Sequence, residues 1–103
     1  MAIKDLNASR GAGAARFTLG ALVATPGALA ALVTAGQSPM ELLSRHIRGD
    51  WGDIDADDQR ENELALKHGF RLLSVYALAD GTRLWIITEA DRSATTLLLP
   101  EDY

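Results

Sequence analysis

The spacing of apolar positions changes character once along this chain, near Phe70. Before it, one short alternating run leads into three helical patterns. RFTLGALVAT, residues 16–25, reads as a strand with Phe17, Leu19 and Ala21 on one side; Thr18 and Leu22 disturb the other side, and Gly20 marks a weak point or a bulge. Thr25 suits a helix N-cap, and Pro26 suits the first helical position, where a missing N–H costs nothing. The helix that follows places Leu29, Leu32 and Val33 on one face and closes at Gly36 in a left-handed conformation. Ser38-Pro39-Met40-Glu41 spells a capping box. It opens a second helix with Met40, Leu43 and Ile47 as its stripe and Gly49 as its stop. ADDQRENELALKH, residues 56–68, predicts a third helix, acidic at its first turn as the helix dipole prefers. Its apolar stripe is thin: Leu64 and Ala65, joined by Ile54 from the preceding loop.

From Phe70 the grammar is that of strands. FRLLSVYAL, the Asp-Gly turn of ADGT, TRLWIIT, the tight link EADRS and ATTLLL before Pro100 describe a β-meander. Its strands are apolar on both faces, Leu72 and Tyr76 on one, Leu73 and Val75 on the other, so both faces need cover. Three short helices can cover one. The other is left for the flank of the first strand or for a partner chain. The expected fold is α+β, in the order β-α-α-α-β-β-β, with an antiparallel meander sheet packed by three helices. Residues 1–15, rich in Ala, Gly, Ser and Asn, are expected to form a disordered tail, and residues 16–103 a single domain.

Composition narrows the function classes. The chain has 103 residues, of which 48% are hydrophobic, enough for one small core. It has no cysteine, so disulfide and thiolate chemistry are excluded, in keeping with a cytoplasmic setting. No apolar run approaches the ~20 residues that span a bilayer, and the start lacks the apolar core of a secretory signal, so no membrane association is expected. Net charge is −4 and unevenly spread: residues 50–63 carry Asp50, Asp53, Asp55, Asp57, Asp58, Glu61 and Glu63 against Arg60, which makes that segment −6 and the remainder +2. The ten basic residues are scattered, which argues against tight duplex-DNA binding.

Three stretches, FTLGALVATPGALAAL, GQSPMELLSRHIRGDWGDID and RLLSVYALADGTRLWIITEADRSATTLLLPEDY, resemble a family of small proteobacterial proteins carried on plasmids and integrative elements. The resemblance covers residues 17–103. It rests on the pairing of RH-x-x-GDWGD with WIITEADRS-x-TT-x-LLP-x-x-Y. Members go by hypothetical or plasmid-related names, and some by "type I restriction endonuclease subunit M". That label does not suit a chain without the length or the Asn-Pro-Pro-Tyr-type motif of a modification subunit. The resemblance implies a mobile-element accessory protein and brings no catalytic residues with it. At fold level, a helical half followed by an antiparallel sheet bearing His, Arg, hydroxyls and Tyr resembles the barnase–RelE–colicin group of ribonucleases.

Two sets of candidate residues follow. For metal-independent RNA cleavage, His46 would be the base, helped or opposed by its place at a helix C-terminus, which favours the protonated ring. Arg71 and Arg92 would hold phosphate with planar forks, and Thr95 would supply a hydroxyl beside Ser74, Thr88 and Thr96. For binding, the candidates are Asp50, Trp51, Asp53, Tyr76, Trp85 and Asp91. Each has a plainer alternative: a packing histidine, aspartates that cap turns, a tryptophan that pins its loop to the core, and threonines that suit a strand. The aspartates fail the spacing of an EF-hand, and neither a metal nor a cofactor is expected. An acidic nucleic-acid mimic that inhibits a host nuclease is a third reading. The leading reading is macromolecular binding, with a protein as the partner, a second copy of the chain included, and RNA as a further option. All site proposals require the His-Trp-Asp connector to fold back against the far end of the meander.

Overall fold

The computed structural model describes residues 14–103; the expected tail falls outside these except for Ala14 and Ala15, which have no regular structure. The element order is β1 (Ala21–Ala24), α1 (Pro26–Ala35), α2 (Pro39–Ile47), α3 (Ala56–His68), β2 (Leu72–Ala77), β3 (Arg83–Thr88), β4 (Ala94–Leu98) and a final 3-10 turn (Pro100–Asp102). Each helix starts at a capping residue, and for the first two it is the one the sequence predicts. The Thr25 hydroxyl accepts the Ala28 N–H at 3.1 Å, Ser38 accepts that of Met40 at 3.1 Å, and Asp55 accepts that of Asp58 at 2.8 Å. Glu41 reaches back to the Ser38 N–H, completing the capping box.

β2, β3 and β4 form the antiparallel meander that turn chemistry requires. The sheet as a whole is not a meander, however. Its strand order is β1-β4-β3-β2, and β1 lies parallel to β4, with Leu22 opposite Thr95. The sheet is therefore mixed. A parallel neighbour needs a long crossover, and here the crossover is the whole helical half plus the β2–β3 hairpin. The first strand is also shorter than the alternation predicts. Gly20 turns the chain with φ +67°, against the backbone of Arg92 and Ser93, so Phe17 and Leu19 lie outside the strand.

The helices pack on one sheet face. Ala28 and Leu32 of α1, Leu42 and Leu43 of α2, and Tyr76, Leu84, Ile86 and Leu97 of the sheet form the main core. A second cluster joins Trp51, Ala65 and Leu72, with Phe17, Ile54 and Leu66 against it. Two expected stripes are rotated. In α1 the buried face is Ala28 and Leu32, while Leu29 and Val33 are exposed; in α2 it is Leu42, Leu43 and His46, while Met40 is exposed. In α3, Asn62 and Ala65 are buried and Leu64 is not. On α1 one small and one large residue, Ala28 and Leu32, face the sheet. The outer sheet face is partly closed by the chain itself: Val75, Ile87 and Leu98 are buried, with Trp85 and Tyr103 packed together across it.

Candidate functional site

His46 ends up in the interior. It sits in the last turn of α2 with none of its surface exposed. Its Nδ1 lies 2.6 Å from Ser74 Oγ on β2, and its Nε2 lies 2.9 Å from Thr88 Oγ1 on β3. Thr88 Oγ1 is 2.7 Å from Thr95 Oγ1 on β4, and Thr95 donates to the Leu19 carbonyl at 2.8 Å. The tautomer follows from counting protons. A carbonyl only accepts, so Thr95 spends its one hydroxyl proton on Leu19. Thr88 must then donate to Thr95, and its oxygen accepts from His46 Nε2–H. Nδ1 is left bare and accepts from Ser74. The chain of bonds runs in one direction from β2 through α2 to β3, β4 and the segment before β1. It explains how three hydroxyls and an imidazole tolerate burial at the sheet centre.

The ring is walled by aromatics. Phe17 meets its edge at 5.1 Å between centroids and Trp51 at 5.7 Å, and Phe17 and Trp51 stack at 6.2 Å. Burial, reinforced by the nearby Arg92 cation, pushes the His46 pKa down to about 3. The helix C-terminus was expected to favour the protonated ring; desolvation outweighs it here.

The connector folds back, but onto β2. Gly52 makes a parallel bridge to Val75: Val75 N–H donates to Trp51 O at 3.0 Å, and Asp53 N–H donates to Val75 O at 2.7 Å. Gly52 has φ +77°, and a Cβ there would collide with the Val75 carbonyl, so only glycine fits this approach. Two residues back along β2's edge, at Leu73, Asn62 of α3 acts as a strand substitute. It accepts Leu73 N–H at 3.1 Å and donates to Leu73 O at 2.8 Å. Trp51 is the plug of this joint, buried, with its indole N–H donated to Glu63 at 3.3 Å. Glu63 in turn receives both arms of Arg16, which holds its carboxyl below the usual range.

The remaining candidates divide by place. Asp50 pairs with Arg45 at 2.8 Å, which keeps its pKa low, while its backbone carbonyl accepts the Tyr76 hydroxyl at 2.5 Å. Tyr76 is buried beneath the Arg45 guanidinium, 4.6 Å from its ring centroid, and burial pushes its phenol up to about 12. Asp53 faces Arg83 at 3.8 Å, and Asp91 accepts the Ser93 N–H within its turn. Arg92 has φ +61°, and its guanidinium donates to the carbonyls of Ala65, Phe70, Glu89 and Ala90, tying the end of α3 to the β3–β4 turn. Arg71 lies apart from the His46 network. With Leu73, Trp85, Ile87 and Tyr103 it lines a groove of about 320 Å³ on the outer sheet face, its guanidinium 3.2 Å from the Tyr103 hydroxyl. The structure thus brings His46, Thr95 and Arg92 together and leaves Arg71 elsewhere. Among the described residues no group of His, Asp and Glu could hold a metal ion, and no helix is long and apolar enough to cross a membrane.

Sequence reasoning overlooked two features. Asn62 is one, and its only local signal is a polar residue three positions before a buried alanine. The other is the surface at β1 and α1. Leu22 and Leu29 are each 50% exposed, Val23 48%, Val33 81% and Met40 36%. An apolar groove of about 150 Å³, lined by Leu22, Val23, Ala24, Leu29, Pro39, Met40, Leu43 and Leu97, opens there. Its signal was present in the chain: residues 17–40 carry no charge at all.

The architecture is that of a two-layer α+β domain, three helices on a four-stranded mixed sheet. No protein-family model, no curated protein and no solved structure matches the chain.

Proposed function

We propose that this chain is a non-enzymatic binding domain that recognises a protein partner at the β1 edge. The cellular setting we propose is that of a cytoplasmic accessory protein of a mobile element, as the sequence resemblance implies. The observation that carries the binding reading is the contrast between the two sheet edges. β2 is shielded by the Trp51–Asp53 connector and by Asn62. β1 has neither a covering segment among the described residues nor the lysine, proline or bulge that usually guards an edge. Beside it lies the uncharged apolar strip. An apolar strip beside unpaired strand backbone is a template for strand addition.

The ribonuclease reading loses support on chemical grounds. A general base needs a lone pair within reach of substrate, and both His46 nitrogens are engaged inside the core. Arg92 is committed to four carbonyls. The mimic reading is weakened by pairing: Asp50, Asp53, Asp57 and Glu63 each face an arginine.

The test is photo-crosslinking in cells. A benzophenone amino acid at Leu22 or Leu29 is expected to give discrete protein adducts, and the same probe at Arg60 on α3 is not. Absence of adducts from both strip positions sinks the proposal.

A further inference from the structure

We infer that the occupant of the β1 edge is a second copy of this chain, paired antiparallel across a two-fold axis through Val23. The inference rests on the binding reading and gives that site its partner.

The parallel ladder decides which backbone groups are free. Ala21 N–H donates to Ser93 O and Thr25 N–H to Leu97 O, so Ala21, Val23 and Thr25 turn their backbone groups toward β4. Alternate residues turn theirs away. Those of Leu22 and Ala24 therefore point off the sheet, and among the described residues no strand lies there to meet them. A two-fold contact between identical strands must be antiparallel, because each residue i that meets j′ requires j to meet i′. With two outward residues, the register that satisfies both sets Leu22 opposite Ala24 of the second copy and Ala24 opposite Leu22. That makes four backbone hydrogen bonds, with the two Val23 residues facing each other at the axis as a non-hydrogen-bonded pair. The result is one continuous eight-stranded sheet with no bare β1 edge.

Side chains agree with this register. Leu22 shares the helix-covered face with Thr95, its partner in the ladder, so it projects beside the apolar groove. Placed opposite Ala24, the Leu22 of the second copy meets the groove walls formed by Leu29, Met40 and Leu43. The five exposed apolar residues leave on the order of 450 Å² per chain in water, so a two-fold pair that covers them removes roughly 900 Å², the size of a weak interface rather than a permanent one. Charge sets no barrier to a second copy at this face. The chain is −4, but the strip lies in a segment without charge, so two copies meet here without repulsion. An acidic or basic partner would find no counter-charge in the groove lining.

The experiment uses the full chain. Light scattering at about 100 μM is expected to give twice the 11.0 kDa chain mass, and Val23→Lys a single chain mass with an unchanged circular dichroism spectrum, a loss of dimer affinity of ~100-fold or more. Because the chain has no cysteine, Val23→Cys introduces its only thiol, and mild oxidation is expected to yield a disulfide-linked dimer across the axis, whereas Asp58→Cys does not. A wild-type monomer at that concentration overturns the proposal, as does a dimer that Val23→Lys leaves intact. If the purified chain is monomeric while the benzophenone probe at Leu22 captures a different protein, the binding reading survives and the second copy is excluded. If a chain beginning at Ala14 dimerises and the full chain does not, the leading residues cover the edge and the proposal is likewise overturned.

Discussion

Lowering the pH from 7 to 5 should weaken this fold through one residue. His46 is held neutral in the native state with a pKa of about 3, against 6.5 for an unperturbed histidine. Between those values the unfolded chain binds a proton that the native chain refuses. Stability is therefore fully present above the unfolded value and declines as pH falls through 6.5 toward 3, by about 1.4 kcal/mol per pH unit within the window. From pH 7 to pH 5 the loss is about 2 kcal/mol, a large share of the ~5–15 kcal/mol typical of small domains. The paired carboxylates do not interfere, because Asp50 and Glu63 have lowered values and act below this range. Urea denaturation at the two pH values measures the difference directly. His46→Gln should begin less stable at pH 7 and show a flat response down to pH 5. In the wild type the His46 ring signals in NMR should not move over the same interval. An unchanged unfolding free energy, or a native imidazole that titrates between pH 5.5 and 7, would refute the buried neutral ring.

Other perturbations probe the parts that hold the site. Thr88→Val keeps the shape but leaves His46 Nε2–H without an acceptor, and should cost about 1–3 kcal/mol in urea unfolding. Asn62→Ala exposes the Leu73 backbone pair and should cost about 2 kcal/mol, with faster amide exchange at Leu73 than at Val75, whose own bond to Trp51 is retained. Gly52→Ala meets both a left-handed φ and the Val75 carbonyl, and should lower the melting temperature by ~10 °C or more for a domain of this size. Trp51→Ala empties the joint between connector, α3 and β2; a loss of about 3–5 kcal/mol is expected, and a near-neutral result would show that the tryptophan is not the plug.

Much of the architecture was legible in the residues, and for a shared reason. Thr25-Pro26 and Ser38-Pro39-Met40-Glu41 mark helix starts because capping acts over three or four residues, and Gly36 marks an end because it turns left-handed at once. The β2–β3–β4 meander followed from its short turns, since a tight link leaves a strand no choice but to return antiparallel. Candidate residues were legible as chemistry but not as environment. Nothing near His46 in sequence announces Ser74 or Thr88, 28 and 42 positions away.

By itself the sequence determined the element types, their order and their caps, together with an uncharged segment spanning residues 17–40, because each depends on neighbours a few positions apart. Only the tertiary structure decided that β1 runs parallel beside β4 and that His46 is sealed and neutral. It also decided which apolar residues of α1 face water: Leu29 and Val33, because Ala28 and Leu32 are the ones that pack into the core with the sheet. Those outcomes depend on contacts between segments tens of residues apart, such as Thr95 with Leu19, where packing and desolvation outweigh local preference.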